Sequence, residues 1–256
     1  MEIKKILIFG AGVIGSVYAG KLSLAGHSVS VLARNNRLNE LQLNGLLLSE
    51  NGKELIKTNV TIISELKADD IYDYIFVTLR KDQVKDALQL LGQNQSKNFV
   101  FMVNTSSGYA DWISQIGLER VIPAFPGAGG KIENGIVYYS LTSRFIQPTT
   151  LGEIDGKATQ RTNELAKILS NAGFSTSITV FFSTVFTLNS GVFKSSSSSK
   201  TKRLFFAKSS LLISSFSAFC LKGEVLAGSI ESPSANFIFS VDPACFLSSL
   251  EKPVAI

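Results

Sequence analysis

The 256-residue sequence predicts a doubly wound α/β fold on a mostly parallel sheet. Two observations predict it. Short apolar runs of strand length alternate with stretches of helical periodicity over the first 175 or so residues. A glycine-rich turn follows the first apolar run directly and leads into the first helix.

Residues 3–9 are an apolar run suited to a strand buried on both faces, and residues 13–25 read as a helix. Gly26 and His27 stop that helix and turn the chain into a second strand at 28–33, with His27 expected at the surface of the turn. Residues 73–79 and 98–104 are two more apolar strands. Between them, residues 82–91 place Val84, Ala87, Leu88 and Leu91 on one helical face. Ser106 suits the N-cap of a helix after the second of these strands. Further strands are expected at 120–125 and 135–142, and an amphipathic helix at 157–172 ends at Gly173.

Gly10-Ala11-Gly12-Val13-Ile14-Gly15 is G-x-G-x-x-G between strand and helix, with the second strand at the right distance, and defines a Rossmann-type unit. Gly10 allows the tight turn, Gly12 lets backbone approach a pyrophosphate, and Gly15 lets helix and strand pack closely. Free N–H groups at the helix start, from Val13 and Ile14 onward, attract the phosphates with the helix dipole. An NAD site wants an acidic residue about 20 positions after the glycines. The end of the second strand instead reads Leu32-Ala33-Arg34-Asn35-Asn36-Arg37, with no acid before Glu40. Arg34 stands where a guanidinium can pair with a 2′-phosphate, and Arg37 is one helical turn on, so the cofactor expected is NADP(H).

Arg80, Lys81 and Asn104 stand at the C-terminal ends of later strands, where open α/β sheets bind ligands. A cation there pairs with a substrate carboxylate or the cofactor, and an amide holds a carbonyl or hydroxyl oxygen. Each has a plainer alternative as a loop or cap residue. Pro126-Gly127-Ala128-Gly129-Gly130 reads either as a substrate-side loop or as a turn.

Composition sets limits on other classes. Two cysteines, Cys220 and Cys245, give neither a disulfide framework nor a CxxC pair, and a lone histidine excludes a histidine-built metal site. The net charge of +5 admits an anionic ligand, but Lys and Arg are too dispersed for a nucleic-acid surface. Mean hydropathy is high at +0.23, yet the most apolar stretch, residues 211–221, falls short of the roughly 20 residues that cross a bilayer. The first residues carry no secretory pattern, and a cytoplasmic protein is expected.

The composition breaks near residue 175. Residues 176–256 hold 19 of the 33 serines and 11 of the 18 phenylalanines but only four acids, and 195–199 is a serine run. Two regions are expected: a cofactor domain at 1–175 and an atypical C-terminal region at 176–256 with little sustained periodicity.

The segments GAGVIGSVYAGKLSLAGHSVSVLAR (10–34), VTLRKDQV (77–84), FMVNTSSGY (101–109), FPGAGG (125–130) and QPTTLGEIDG (147–156) together resemble a divergent branch of the ketopantoate reductase family. The resemblance implies NADPH-dependent reduction of a 2-oxo acid to a 2-hydroxy acid. It implies that Arg34 holds the 2′-phosphate, that Arg80 replaces a lysine near cofactor and substrate, and that Asn104 is the catalytic-site asparagine, followed here by Thr105 in place of glycine. The expected partner is a small 2-oxo acid, with no nucleic acid or membrane, and a homodimer fits. The family's all-helical C-terminal domain carries a general-acid lysine. No segment after Ser175 matches it, and Lys194, Lys200, Lys202 and Lys208 lie in no recognisable motif. The break is read as a frame change or degenerate gene end, and a reductase active or inactive in this form is compatible with it. The rivals are a highly diverged domain and a non-catalytic NADP(H)-binding protein.

Overall fold

The computed structural model describes residues 2–105 and 108–179. The expectations for Ser106, for residues 195–199 and 211–221, for both cysteines and for Lys194, Lys200, Lys202 and Lys208 lie outside the described residues.

Alternation along the first strand, β1 (Lys5–Phe9), explains the layered core. Ile6 and Ile8 point to one face of the sheet and Leu7 and Phe9 to the other, all fully buried or nearly so. β1 pairs in parallel with β2 (Ser28–Leu32) on one side and with β6 (Tyr74–Val77) on the other. β7 (Phe99–Phe101) and β8 (Val121–Phe125) extend the sheet beyond β6, and β5 (Thr61–Ile63) extends it beyond β2. Counted from β5 to β8, the order reverses at β1, as in a doubly wound fold. β11 (Thr149–Leu151) adds to β8 antiparallel, and β12 (Thr176–Ile178) closes the edge parallel to β11.

Helices cover both faces. α1 (Val13–Leu24) and α5 (Gln160–Asn171) pack on the Ile6/Ile8 face through Val17, Tyr18, Leu165 and Leu169. α3 (Lys81–Gln93) and α4 (Ala110–Ile116) cover the Leu7/Phe9 face. The four residues predicted to share one face of α3, Val84, Ala87, Leu88 and Leu91, are the ones it buries.

A second sheet was not expected. β3 (Leu46–Glu50), β4 (Leu55–Thr58), β9 (Ala128–Glu133) and β10 (Ile136–Leu141) form a four-stranded layer in the order β4-β3-β10-β9. It lies on the outer side of α1, so that Gly15 to Ala19 of this helix are buried without a break. Gly20 makes the approach possible: a Cβ there would stand 2.3 Å from Leu48 Cδ1. α2 (Asn35–Asn44) links β2 to this layer.

Two expectations need correction. The segment at 126–130 is neither a free loop nor a turn. Ala128 starts β9, and Gly130 pairs with Tyr139 so closely that a Cβ would sit 2.1 Å from the Tyr138 carbonyl. His27 is 5% exposed rather than a surface residue. Its Nδ1 accepts a hydrogen bond from the Lys4 N–H at 3.2 Å, and its buried Nε2 has no hydrogen-bond partner among the described residues.

Candidate dinucleotide site

Where β1 passes into α1, the backbone makes a turn that other residues cannot copy. Gly10 has φ +122°, a conformation open to glycine. A Cβ on Gly15 would stand 1.9 Å from the Gly10 carbonyl oxygen, so helix and turn touch directly. At Gly12 the opposite holds: a Cβ would meet nothing within 4 Å, and the position opens on a cleft. Gly12 caps α1 without a side-chain hydrogen bond, and the first turn carries no acid. The N–H groups of that turn have no intrahelical acceptor, which leaves them for an anion.

The cleft has a volume of about 600 Å³. Phe9, Gly10, Ala11 and Gly12 form its floor, and Leu32, Ala33 and Arg34 its wall on the β2 side. Thr78, Leu79, Arg80 and Gln83 close it from β6 and α3, and Ile132 from β9. Thr78 pins the glycine turn, its hydroxyl donating to the Gly10 carbonyl at 2.8 Å. Sequence reasoning passed over Thr78, Phe9 and Ile132, although Thr78 lies inside the strand-end segment already singled out.

The three arginines of the cleft differ in what they are free to do. Arg34 precedes α2 as its N-cap in extended backbone and is exposed. Its guanidinium makes no ion pair or hydrogen bond among the described residues and stands 5.9 Å from the Phe9 ring centre. Arg37 is mostly buried and engaged on every side, pairing with Glu40 and donating to Ala11, Ser16 and Gly135. Arg80 caps α3 and makes an exposed pair with Asp82 at 3.3 Å, a contact of little energetic weight in water.

Val13 and Ile14, the first residues of α1, are half-buried beside the turn. Asn104 lies three residues beyond the end of β7, exposed, on the same edge of the sheet as Arg80, and does not line the cleft. Lys81 opens α3 and does not line it either.

Tyr18 ties the layers together behind the site. Its hydroxyl shares a 2.5 Å hydrogen bond with Thr149 and accepts from the Gly127 N–H. Burial pushes its pKa up to about 12, so it stays protonated.

The strand order and the glycine turn define a Rossmann-type α/β domain. The family described as ketopantoate reductase PanE/ApbA matches residues 6–156, more than half of the chain, and the chain belongs to it. It is 30% identical over 198 residues to a 2-dehydropantoate 2-reductase of Mesorhizobium japonicum, covering 66% of this chain and 58% of the relative. It is 25% identical over 187 residues to that of Aquifex aeolicus, covering 68% and 55%. The chain thus spans little more than half the length of these curated relatives. The fold is similar to the crystal structure of 2-dehydropantoate 2-reductase from Geobacter metallireducens (TM-score 0.56, 21% identity, 68% of this chain and 57% of that one). It is also similar to D-mandelate dehydrogenase solved with NADH and anilino(oxo)acetate (TM-score 0.59, 21% identity, 69% and 57%). Among the described residues, no helix is long and apolar enough to cross a membrane.

Proposed function

We propose that this chain binds NADP(H) in the cleft at the start of α1 and serves the reduction of a 2-oxo acid to a 2-hydroxy acid, in the manner of a 2-dehydropantoate 2-reductase. The observation that carries the reading is one cleft joining an open Gly12 backbone to an unpaired Arg34. A pyrophosphate fits against Gly12 and the first N–H groups of α1, from Val13 and Ile14 onward. Arg34, whose guanidinium makes no ion pair or hydrogen bond among the described residues and stands 5.9 Å from the Phe9 ring centre, would pair with a 2′-phosphate as a bidentate donor. Arg80, held by a weak surface pair, is free to take a cofactor phosphate or a substrate carboxylate. On this reading Asn104, exposed beyond the end of β7 and outside the lining of the cleft, would hold the substrate carbonyl.

The family and its reductase relatives support the reaction class, as does the neighbouring dehydrogenase that holds NADH. A reduced nicotinamide would supply a hydride, and the residues of the cleft would hold and orient it. The test is to titrate NADPH and NADH, then follow NADPH absorbance on adding 2-dehydropantoate. NADPH is expected to bind at least about tenfold tighter than NADH, given one charge-assisted pair, and to be oxidised. Preference for NADH, or no binding of either, rejects the reading. Tight binding without oxidation selects the non-catalytic alternative.

A further inference from the structure

We infer that Arg37 is a positioning residue for dinucleotide binding, fixing the peptide between Ala11 and Gly12 so that the Gly12 N–H faces the phosphates, and that it is not a ligand of the 2′-phosphate. The inference rests on the proposed cofactor reading and adds a division of labour between two arginines three residues apart.

The Ala11 carbonyl lies in the middle of the glycine turn and receives two donors from the helix side. Arg37 Nε donates to it at 3.2 Å and Ser16 Oγ at 3.3 Å. Arg37 Nη2 in turn donates to Ser16 Oγ at 3.4 Å, so the two donors hold one another. Nη1 pairs with Glu40 of α2 and donates to the Gly135 carbonyl at 3.3 Å. Gly135 closes the β9–β10 hairpin, where Asn134 and Gly135 both have positive φ. One guanidinium therefore joins the glycine turn, α1, α2 and the second sheet.

Peptide geometry turns this into a statement about binding. No described peptide bond is cis. In a trans peptide the carbonyl and the following N–H point to opposite sides. Donors that hold the Ala11 oxygen on one side aim the Gly12 N–H at the other. That N–H has no acceptor among the described residues, and the space beside Gly12 is empty. Without Arg37 the carbonyl loses its charged donor, and the peptide is free to rotate the N–H out of line. Preorganised N–H groups bind anions better than those that must reorient.

Arg37 is also a poor candidate for the 2′-phosphate. Its side chain is 16% exposed and its charge is already met by Glu40. Reaching a phosphate would break the contacts to Ala11, Ser16 and Gly135 together. Arg34 has no such commitments.

The test measures NADPH, NADH and 2′-AMP affinity in the full-length wild-type protein and in Arg37→Ala, with the melting temperature recorded. We expect NADPH and NADH to weaken by the same factor, about tenfold for one lost charged donor. We expect 2′-AMP, which carries no pyrophosphate, to bind as before. Loss confined to NADPH and 2′-AMP makes Arg37 a phosphate ligand and overturns the inference. Unchanged affinities overturn it too, and equal loss of all three ligands shows a collapsed cleft rather than a misaligned peptide. Should Arg37→Ala fail to fold, Ser16→Ala removes the other donor. An equal, smaller loss for both dinucleotides with 2′-AMP unaffected then supports the inference, and unchanged affinities overturn it. A wild-type protein that binds neither dinucleotide refutes the cofactor reading itself, a result distinct from all of these.

Discussion

Arg34 and Gly12 divide the proposed cofactor between its distinguishing phosphate and its common one. Removing the Arg34 guanidinium should cost NADPH about 2 kcal/mol, the worth of a charge-assisted bond, and leave NADH nearly untouched. Isothermal titration of Arg34→Ala with both dinucleotides reads this directly, and equal losses would make Arg34 structural. Gly12→Val acts on both. A Cβ there meets nothing within 4 Å, so the melting temperature should hold while the side chain takes the space of the pyrophosphate and NADPH and NADH binding both fail. Gly15→Ala is the contrasting variant, since its Cβ would collide with the Gly10 carbonyl and lower the stability itself. At the first turn below the sheet, His27 makes stability depend on pH. Burial, and then the Lys4 charge, push its pKa below the usual 6.5, so the folded protein takes up a proton there less readily than the unfolded chain. The unfolded state then binds more protons, and stability must fall as the pH drops below about 6.5. Urea midpoints at pH 7.5 and pH 5.5 should show the loss. His27→Asn, which keeps an acceptor for the Lys4 N–H without titrating, should shrink it.

Elements were legible in proportion to how fully their own sequence expressed their surroundings. β1, β6 and β7 are buried on both faces and read as continuous apolar runs, while α3 buries one face and shows it as a spacing of three and four. The glycine turn was readable because Gly10 and Gly15 answer separate steric demands, a positive φ and a close approach, while Gly12 leaves the space beside the turn open. The second sheet was not, because β4 has three exposed positions in four and β9 opens with Ala-Gly-Gly, and neither shows alternation. Its trace lay in α1, whose residues are apolar or small almost all round, the pattern of a helix covered on both sides. Arg37 was legible as a cation near the second strand but its contacts were not: its hydrogen bond to Gly135 spans 98 residues, and no local pattern encodes that pairing. The joint between α1 and the second sheet can be tested at Gly20. Gly20→Leu would drive a side chain into Leu48 and Thr58 and should destabilise by at least about 2 kcal/mol, as overpacking does. Thermal melts give the value, and a variant as stable as wild type would mean that the sheet lifts from the helix at no cost.

Over the molecule as a whole, the described residues cover both faces of the large sheet and both sides of α1. A segment of this size buries enough apolar surface to fold alone. The composition break near residue 175 is therefore not the place to end a shortened chain, because β12 follows it. Thr149 donates to the Ser175 carbonyl at 2.7 Å, Thr176 to Ile178 pair with β11, and the Thr179 N–H donates to Leu151. A chain ending after residue 179 should melt cooperatively and bind NADPH within about twofold of the full-length protein, a difference of roughly 0.4 kcal/mol. One ending after residue 175 loses the edge strand, leaves the far side of β11 unpaired and should melt lower, because an edge strand satisfies a row of backbone groups. Melting curves and NADPH titrations of the two shortened chains beside the full chain decide the matter. If the longer one unfolds or loses NADPH, residues beyond 179 supply part of the core or of the cofactor site, and the general acid should be sought there. If it behaves as the full chain does, the cofactor site is complete within the Rossmann-type domain, and only the proton donor for reduction is left to find.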